Sequence, residues 1–167
     1  ACPAWSSTPP LERARRLRLA ASIVRDHALE LALLDAADCG NPVKAMQMDA
    51  EIAAFQLEYF AGLVLENKGE TLPTGNGSLN YSLREPLGVV GRIFPFNHPF
   101  MFAAGKIAAP LAAGNTVVLK PPEQAPLSTL RLMELLEPVF PPGVLNTVTG
   151  GREAGEALAT SKRIAKI

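Results

Sequence analysis

GVVGRIFPFNHPFMFAAGKIAAPLAAGNTVVLK, residues 88–120, decides the fold. Gly88 to Phe94 is a short apolar run whose valines and isoleucine suit a pleated, half-buried strand. Asn97 to Ala113 follows with closely spaced apolar and small residues and reads as a helix that Gly114 ends. Asn115 to Lys120 is a second strand, rich in β-branched residues. The alternation continues downstream. Pro126 opens a helix through Leu130, Met133, Leu136 and Glu137, and Val144 to Val148 forms a third strand. Glu153 to Thr160 is a further helix, and a fourth strand begins at Ile164 to Ile167. Strands and helices alternating at this spacing form right-handed βαβ units. Residues 86–167 are therefore predicted to be an α/β, Rossmann-like parallel sheet with helices on both faces, incomplete because the chain stops as the fourth strand starts.

Upstream, residues 1–70 read as a helical hairpin. Thr8 serves as N-cap and Pro9 as first-turn proline, and Leu11, Ala14, Leu17, Ala21, Val24, Ala28 and Leu31 recur at three- and four-residue steps as one buried face. Gly40 ends that segment. Asn41-Pro42 caps a second helix with Ile52, Phe55, Tyr59, Leu63 and Val64 on a similar stripe. Residues 71–85 form an extended arm, in which Pro73, Gly75, Asn76 and Gly77 precede Leu79, Tyr81 and Leu83, alternating with Asn80, Ser82 and Arg84. A lone strand cannot satisfy its own backbone groups, so the arm is expected to pair, with another subunit as one candidate partner.

Composition narrows the function classes. At 167 residues, 48% hydrophobic and 19% charged, the chain has material for one globular core. Sixteen basic and sixteen acidic residues give a formal net charge of zero, which offers nucleic acid or an anionic membrane no long-range attraction. No apolar run reaches the roughly 18 to 20 residues of a membrane span, and Pro110 interrupts the longest. The amino terminus has neither an initiating Met nor the pattern of a signal peptide, and reads as a cut. Cys2 and Cys39 lie far apart without metal-type spacing, which fits a reducing, cytoplasmic compartment and no metal site.

Open parallel sheets bind ligands beyond the carboxyl ends of their strands. Here those positions hold Phe94-Pro95-Phe96-Asn97-His98-Pro99-Phe100, Lys120-Pro121-Pro122-Glu123 and Thr149-Gly150-Gly151-Arg152-Glu153. The G-x-G-x-x-G dinucleotide fingerprint is absent, since Gly150, Gly151 and Gly155 have the wrong spacing and follow a late strand. Residue chemistry alone leads to a nucleotide-binding α/β domain of unspecified activity.

The same rims carry a family resemblance. Arg84-Glu85-Pro86-Leu87-Gly88-Val89-Val90-Gly91, then Phe94-Pro95-Phe96-Asn97, then Leu111 to Pro121, then Pro141-Pro142-Gly143-Val144-Leu145-Asn146 resemble the aldehyde dehydrogenase superfamily. The similarity extends into the hairpin through Glu12-Arg13-Ala14 and Tyr59-Phe60-Ala61-Gly62. It implies NAD as cofactor with NADP as the alternative, a small-molecule aldehyde as substrate, and a homo-oligomer in which residues 79–84 are the oligomerisation arm. By this resemblance Asn97 matches the asparagine whose side-chain amide, with the backbone N–H of a nucleophilic cysteine, forms the oxyanion hole. Lys120 matches the lysine that hydrogen-bonds the adenosine ribose, and Glu123 a position that can hold the same ribose and disfavour a 2′-phosphate. Gly150 and Gly151 would let backbone approach the adenine side, and Ile93 and Phe94 would line the nicotinamide side. Phe96 stands where many relatives have Trp, which keeps an aromatic wall without an indole donor.

Each role has a plainer rival. Asn97 could cap the following helix, Lys120 could be a solvated strand-end lysine, Gly150 and Gly151 a simple turn, and Ile93 and Phe94 ordinary strand packing. For His98 a structural role is the expectation, and the arginines at 13, 15, 16 and 18 are expected on a solvated helix face. Neither Cys39 nor Cys2 matches the family nucleophile, so the 167-residue chain by itself is expected to be inactive. Three readings remain open: part of a dehydrogenase that oxidises an aldehyde to an acid through a cysteine thioester, part of an acylating or reductive relative, or a non-catalytic nucleotide-binding or oligomerisation module.

Overall fold

Val117 and Leu119 are fully buried, and the β-branched run that contains them is the middle strand of the sheet. The structure, a computed structural model, describes residues 1–75 and 77–167. Asn76, expected in the turn of the arm, lies outside the described residues. Three parallel strands, β3 (Val89–Ile93), β4 (Thr116–Lys120) and β5 (Leu145–Thr147), stand in the order β3-β4-β5. The expected fourth strand forms as a single parallel bridge, Val90 to Lys166, on the free side of β3. Ala165 N–H donates to Val89 O and Gly91 N–H to Lys166 O, each at 2.8 Å. The chain thus grows outward from β3 to β5 and then returns to the other side of β3. That reversal is the topological switch point at which doubly wound sheets bind ligands.

Helices cover both faces. α5 (Pro99–Ala112) and α6 (Leu127–Leu136) pack together on the face of Val117 and Leu119, while α7 (Arg152–Thr160) lies against β3 on the other. Gly91 makes the second contact close, because a Cβ there would come 2.5 Å from Ile167 Cδ1 and 3.2 Å from Leu158. Asn115, buried where β4 begins, accepts from Gly88 N–H at 2.9 Å and donates to Pro110 O at 3.2 Å, joining the start of the sheet to the end of α5.

The expected hairpin is a larger helical layer. After a short α1 (Cys2–Ser6), the first segment divides at His27 into α2 (Pro10–Asp26) and α3 (Ala28–Cys39), and α4 (Val43–Gly62) packs on both. Thr8 does not cap α2, since its hydroxyl donates to Ala4 O at 3.1 Å. Leu11 is exposed, whereas Ala14, Leu17, Ala21, Val24 and Leu31 are buried as expected. On α4 the expected stripe is turned outward. Ile52, Phe55 and Tyr59 are exposed and Leu63 marginally so; of that set only Val64 is buried. The buried face is Met46, Ala50, Ala53, Ala54, Leu57 and Ala61. Both stripes have helical spacing, and the small one wins because it lets α4 cross α5 closely at Gly105, where a Cβ would fall 2.0 Å from Gln56 Oε1.

The arginine cluster divides in the same way. Arg15 and Arg18 are exposed, but Arg13 is buried, its Nε donating to Ala112 O at 3.0 Å and Nη1 to Thr8 O. Burial lowers its pKa from the ordinary arginine value. Arg16 is half-buried between Glu12 and Val139 O. The arm also pairs internally: β1 (Thr71–Pro73) and β2 (Leu79–Tyr81) form an antiparallel hairpin whose six residues are all exposed. Among the described residues no helix is long and apolar enough to cross a membrane, and no group of His, Cys, Asp and Glu could hold a metal ion.

Two carboxylates of α3 finish the helices that flank the sheet. Neither α5 nor α6 has a side-chain cap from its own N-cap residue. Asp35 Oδ2 accepts from Phe100 N–H at 3.3 Å, and Asp38 Oδ2 from Leu127 N–H at 3.0 Å. Each supplies in trans what a local Asp or Ser ordinarily supplies. Asp35 is fully buried, and burial pushes its carboxyl up to about 6, with the Phe100 N–H favouring the charged form and Asp49 and Asp38 opposing it. A carboxyl raised on folding stabilises the fold most below its unfolded value, and that contribution is lost as pH rises to about 6. Asp35→Asn keeps an acceptor for Phe100 and cannot ionise. Its new N–H groups would face a buried pocket where Asp35 Oδ1, Ser128 Oγ and Thr129 Oγ1 have no hydrogen-bond partner among the described residues. Urea titrations should show the variant gaining on the native protein between pH 4 and 6.5, by on the order of 1–3 kcal/mol, and holding that lead at higher pH. A difference independent of pH would mean that Asp35 does not titrate in this range.

Candidate functional site

The carboxyl ends of β3 and β4 and the start of α7 enclose an open cleft of about 330 Å³. Six of the eight predicted site residues line it: Ile93, Phe94, Phe96, Lys120, Glu123 and Gly151. Arg152 and Gly155 line it too and were not singled out from sequence. Larger hollows exist, including one of about 570 Å³ between α3 and α6, but it gathers none of the predicted residues. Chemistry rather than volume distinguishes the site.

Lys120, the last residue of β4, is only 7% exposed. Its Nζ donates to Pro121 O at 3.1 Å, and among the described residues it has no carboxylate partner. Lysine is rarely buried without compensation, so two remaining N–H donors at the cleft wall are a standing invitation to ligand oxygens. This is not the solvated strand-end lysine of the plainer reading. Glu123 is exposed and its carboxylate lies against Gly151, where a Cβ would come 2.7 Å from Glu123 Oε2. Any larger residue at 151 would displace it. Gly151 is the N-cap of α7, and Gly150 has φ 133°, a left-handed conformation that turns β5 into the helix. Gly150 does not line the cleft, and a turn residue is what its geometry describes.

Ile93 and Phe94 separate. Ile93 is 43% exposed at the cleft, whereas the Phe94 side chain is 7% exposed and belongs to the main core, so strand packing accounts for most of it. Phe96 is exposed as an aromatic wall.

Asn97 is exposed one residue beyond Phe96 on the same rim, outside the cleft lining. It does not cap α5, whose N-cap is His98. Its carbonyl accepts from Asn41 Nδ2 at 2.7 Å, and its side-chain amide has no partner among the described residues. His98 Nδ1 lies 2.7 Å from Oδ2 of the buried Asp49, and the ring meets Phe102 edge-on at 6.1 Å. That is the structural role expected of it. Asn41, Asp49 and Asp35 around this loop were not read as site residues from sequence. One signal was available: Asp38 sits in the last turn of a helix and Asp35 just before it, where the dipole disfavours negative charge, which points to a compensating partner elsewhere.

The sequence model of the aldehyde dehydrogenase family matches residues 1–167. The chain belongs to this family. It is 53% identical over 166 residues to the aldehyde dehydrogenase tropH of Talaromyces stipitatus, covering 98% of this chain and 32% of that protein. Among solved structures, PnpE in complex with nicotinamide adenine dinucleotide superposes with a TM-score of 0.94 at 42% identity, over 98% of this chain and 34% of that one. The glyceraldehyde-3-phosphate dehydrogenase GapN of Methanocaldococcus jannaschii, complexed with NADP, gives 0.91 at 31% identity, over 98% and 37%. The chain therefore spans about a third of the length of these relatives.

Proposed function

We propose that these residues are the part of an NAD(P)-dependent aldehyde dehydrogenase that holds the adenosine end of the cofactor and supplies the side-chain donor of the oxyanion hole. The observation that carries the reading is the pairing, on one sheet rim, of a buried lysine with an exposed asparagine amide, the first without a carboxylate partner and the second capping nothing among the described residues. The site suits a dinucleotide: ammonium donors and a carboxylate acceptor flank a glycine that leaves the wall open. Solved relatives carrying NAD and NADP support the same cofactor class.

In this reading Lys120 donates to the ribose hydroxyls and Glu123 accepts from them, with Gly151 keeping the carboxylate in place. Ile93 presents an apolar surface to the nicotinamide, and Phe96 walls the approach to Asn97. A nicotinamide held there would supply the hydride acceptor for the oxidation. Asn97 donates an N–H to the oxygen that becomes negative as a thiolate attacks the aldehyde, and being neutral it does so without titrating. The reaction runs through a cysteine thioester to the acid. Neither Cys2 nor Cys39 lines the cleft, and the Cys39 thiol turns back to Asp35 O at 2.9 Å; the reading therefore assigns the nucleophile to neither and takes the chain alone to be inactive. The exposed β1–β2 hairpin, with Leu72, Leu79 and Tyr81 outward, serves as the oligomerisation arm.

Glu123→Gln tests the cofactor assignment. The amide retains an acceptor and loses the charge that repels a 2′-phosphate. In a complete dehydrogenase carrying these residues, kcat/KM for NADP relative to NAD should rise by about tenfold. An unchanged ratio would remove Glu123 from the cofactor site.

A further inference from the structure

The Asn97 amide has no partner among the described residues, yet the backbone that carries it is fastened by the outer helical layer at three points. Gly40, at φ 77°, ends α3 and turns the chain so that Asn41 meets the loop after β3. Asn41 Nδ2 donates to Asn97 O at 2.7 Å. His98 is held to Asp49 of α4, 2.7 Å away, and Phe100 N–H to Asp35 of α3 at 3.3 Å. The first of these bonds acts on the residue of interest itself. A carbonyl held in place fixes the peptide plane after Asn97, and with it the direction in which the side chain leaves the backbone.

We infer that Asn41 is a positioning residue for the Asn97 amide, the α3–α4 turn acting as a brace that aims the donor. The inference rests on the oxyanion reading of Asn97. Magnitudes separate this role from a structural one. The Asn41–Asn97 hydrogen bond is solvent-exposed, so its loss should leave the fold intact. A donor that must meet a developing charge tolerates only about half an ångström of error, and misplacement by about 1 Å costs up to about 100-fold in rate. Asn41 does not line the cofactor cleft, so cofactor affinity should not depend on it.

The test uses a complete dehydrogenase carrying these residues, with two substitutions at 41. Asn41→Asp keeps the shape but sets a carboxylate oxygen against the Asn97 carbonyl; Asn41→Ala removes the donor without adding charge and serves should the first not fold. Either should lower kcat at least tenfold while the dissociation constant for NAD, read by fluorescence titration, stays within about twofold. In an Asn97→Ala background the same substitution should cost nothing further, because there is no amide left to aim. Equal losses in both backgrounds, an unchanged kcat, or a parallel loss of NAD affinity would each overturn the inference while leaving the role of Asn97 standing. If Asn97→Ala alone retains full kcat, the oxyanion reading falls and the inference with it.

Discussion

In a complete dehydrogenase carrying these residues, the proposed role of Asn97 predicts that Asn97→Ala lowers kcat for aldehyde oxidation by about 100- to 1000-fold, with NAD affinity changed by less than about twofold. The split follows from where the residue sits. The residues assigned to the adenosine end, Lys120, Glu123 and Gly151, line the cleft, and Asn97 stands beyond Phe96 at its rim. A group that touches the reacting oxygen only as charge develops stabilises the transition state and not the bound ground state, so the loss appears in kcat. The fold should be indifferent, since the amide makes no hydrogen bond among the described residues and does not cap α5. Steady-state kinetics beside a thermal melt would show it. A fall in stability with little loss of kcat would return Asn97 to a structural role.

Phe100→Ala is expected to cost about 3–5 kcal/mol of stability, read as a shift in the urea midpoint without a change of slope. Phe100 is fully buried in the first turn of α5 and belongs to the core shared by the sheet and the helical layer. Removing a ring from a closed site leaves a cavity that its surroundings fill only in part. Phe100→Leu, which retains most of the volume, should recover most of the loss. A cost below about 1 kcal/mol would mean that the site collapses around the deletion and that the start of α5 is less tightly held than its burial indicates.

Much of the framework around the cleft is legible in the one-dimensional pattern because its parts are local. β3, α5 and β4 follow one another within residues 89–120, and a strand end places its next residues on the ligand-binding rim without reference to anything distant. Ile93, Phe96, Lys120, Glu123 and Gly151 could therefore be named in advance and do line one cleft. The same locality misled where two answers share a period. Residues 52, 55 and 59 repeat as a helix requires, and so do 46, 50, 53, 57 and 61; periodicity gives the spacing of a buried face but not its phase. Hydrophobic size favoured the first set, whereas close crossing at Gly105 selected the alanines.

By itself, then, the amino-acid sequence determined the α/β alternation, the rim on which ligand groups collect, and the family. Only the tertiary structure decided what holds that rim in place. Asn41 reaches Asn97 across 56 residues, Asp49 reaches His98 across 49, Asp35 reaches Phe100 across 65, and Arg13 reaches Ala112 across 99. None of these pairings leaves a periodic or motif signature, because a hydrogen bond between distant segments depends on how whole helices dock. That docking is settled by the packing of small and large side chains over the entire interface.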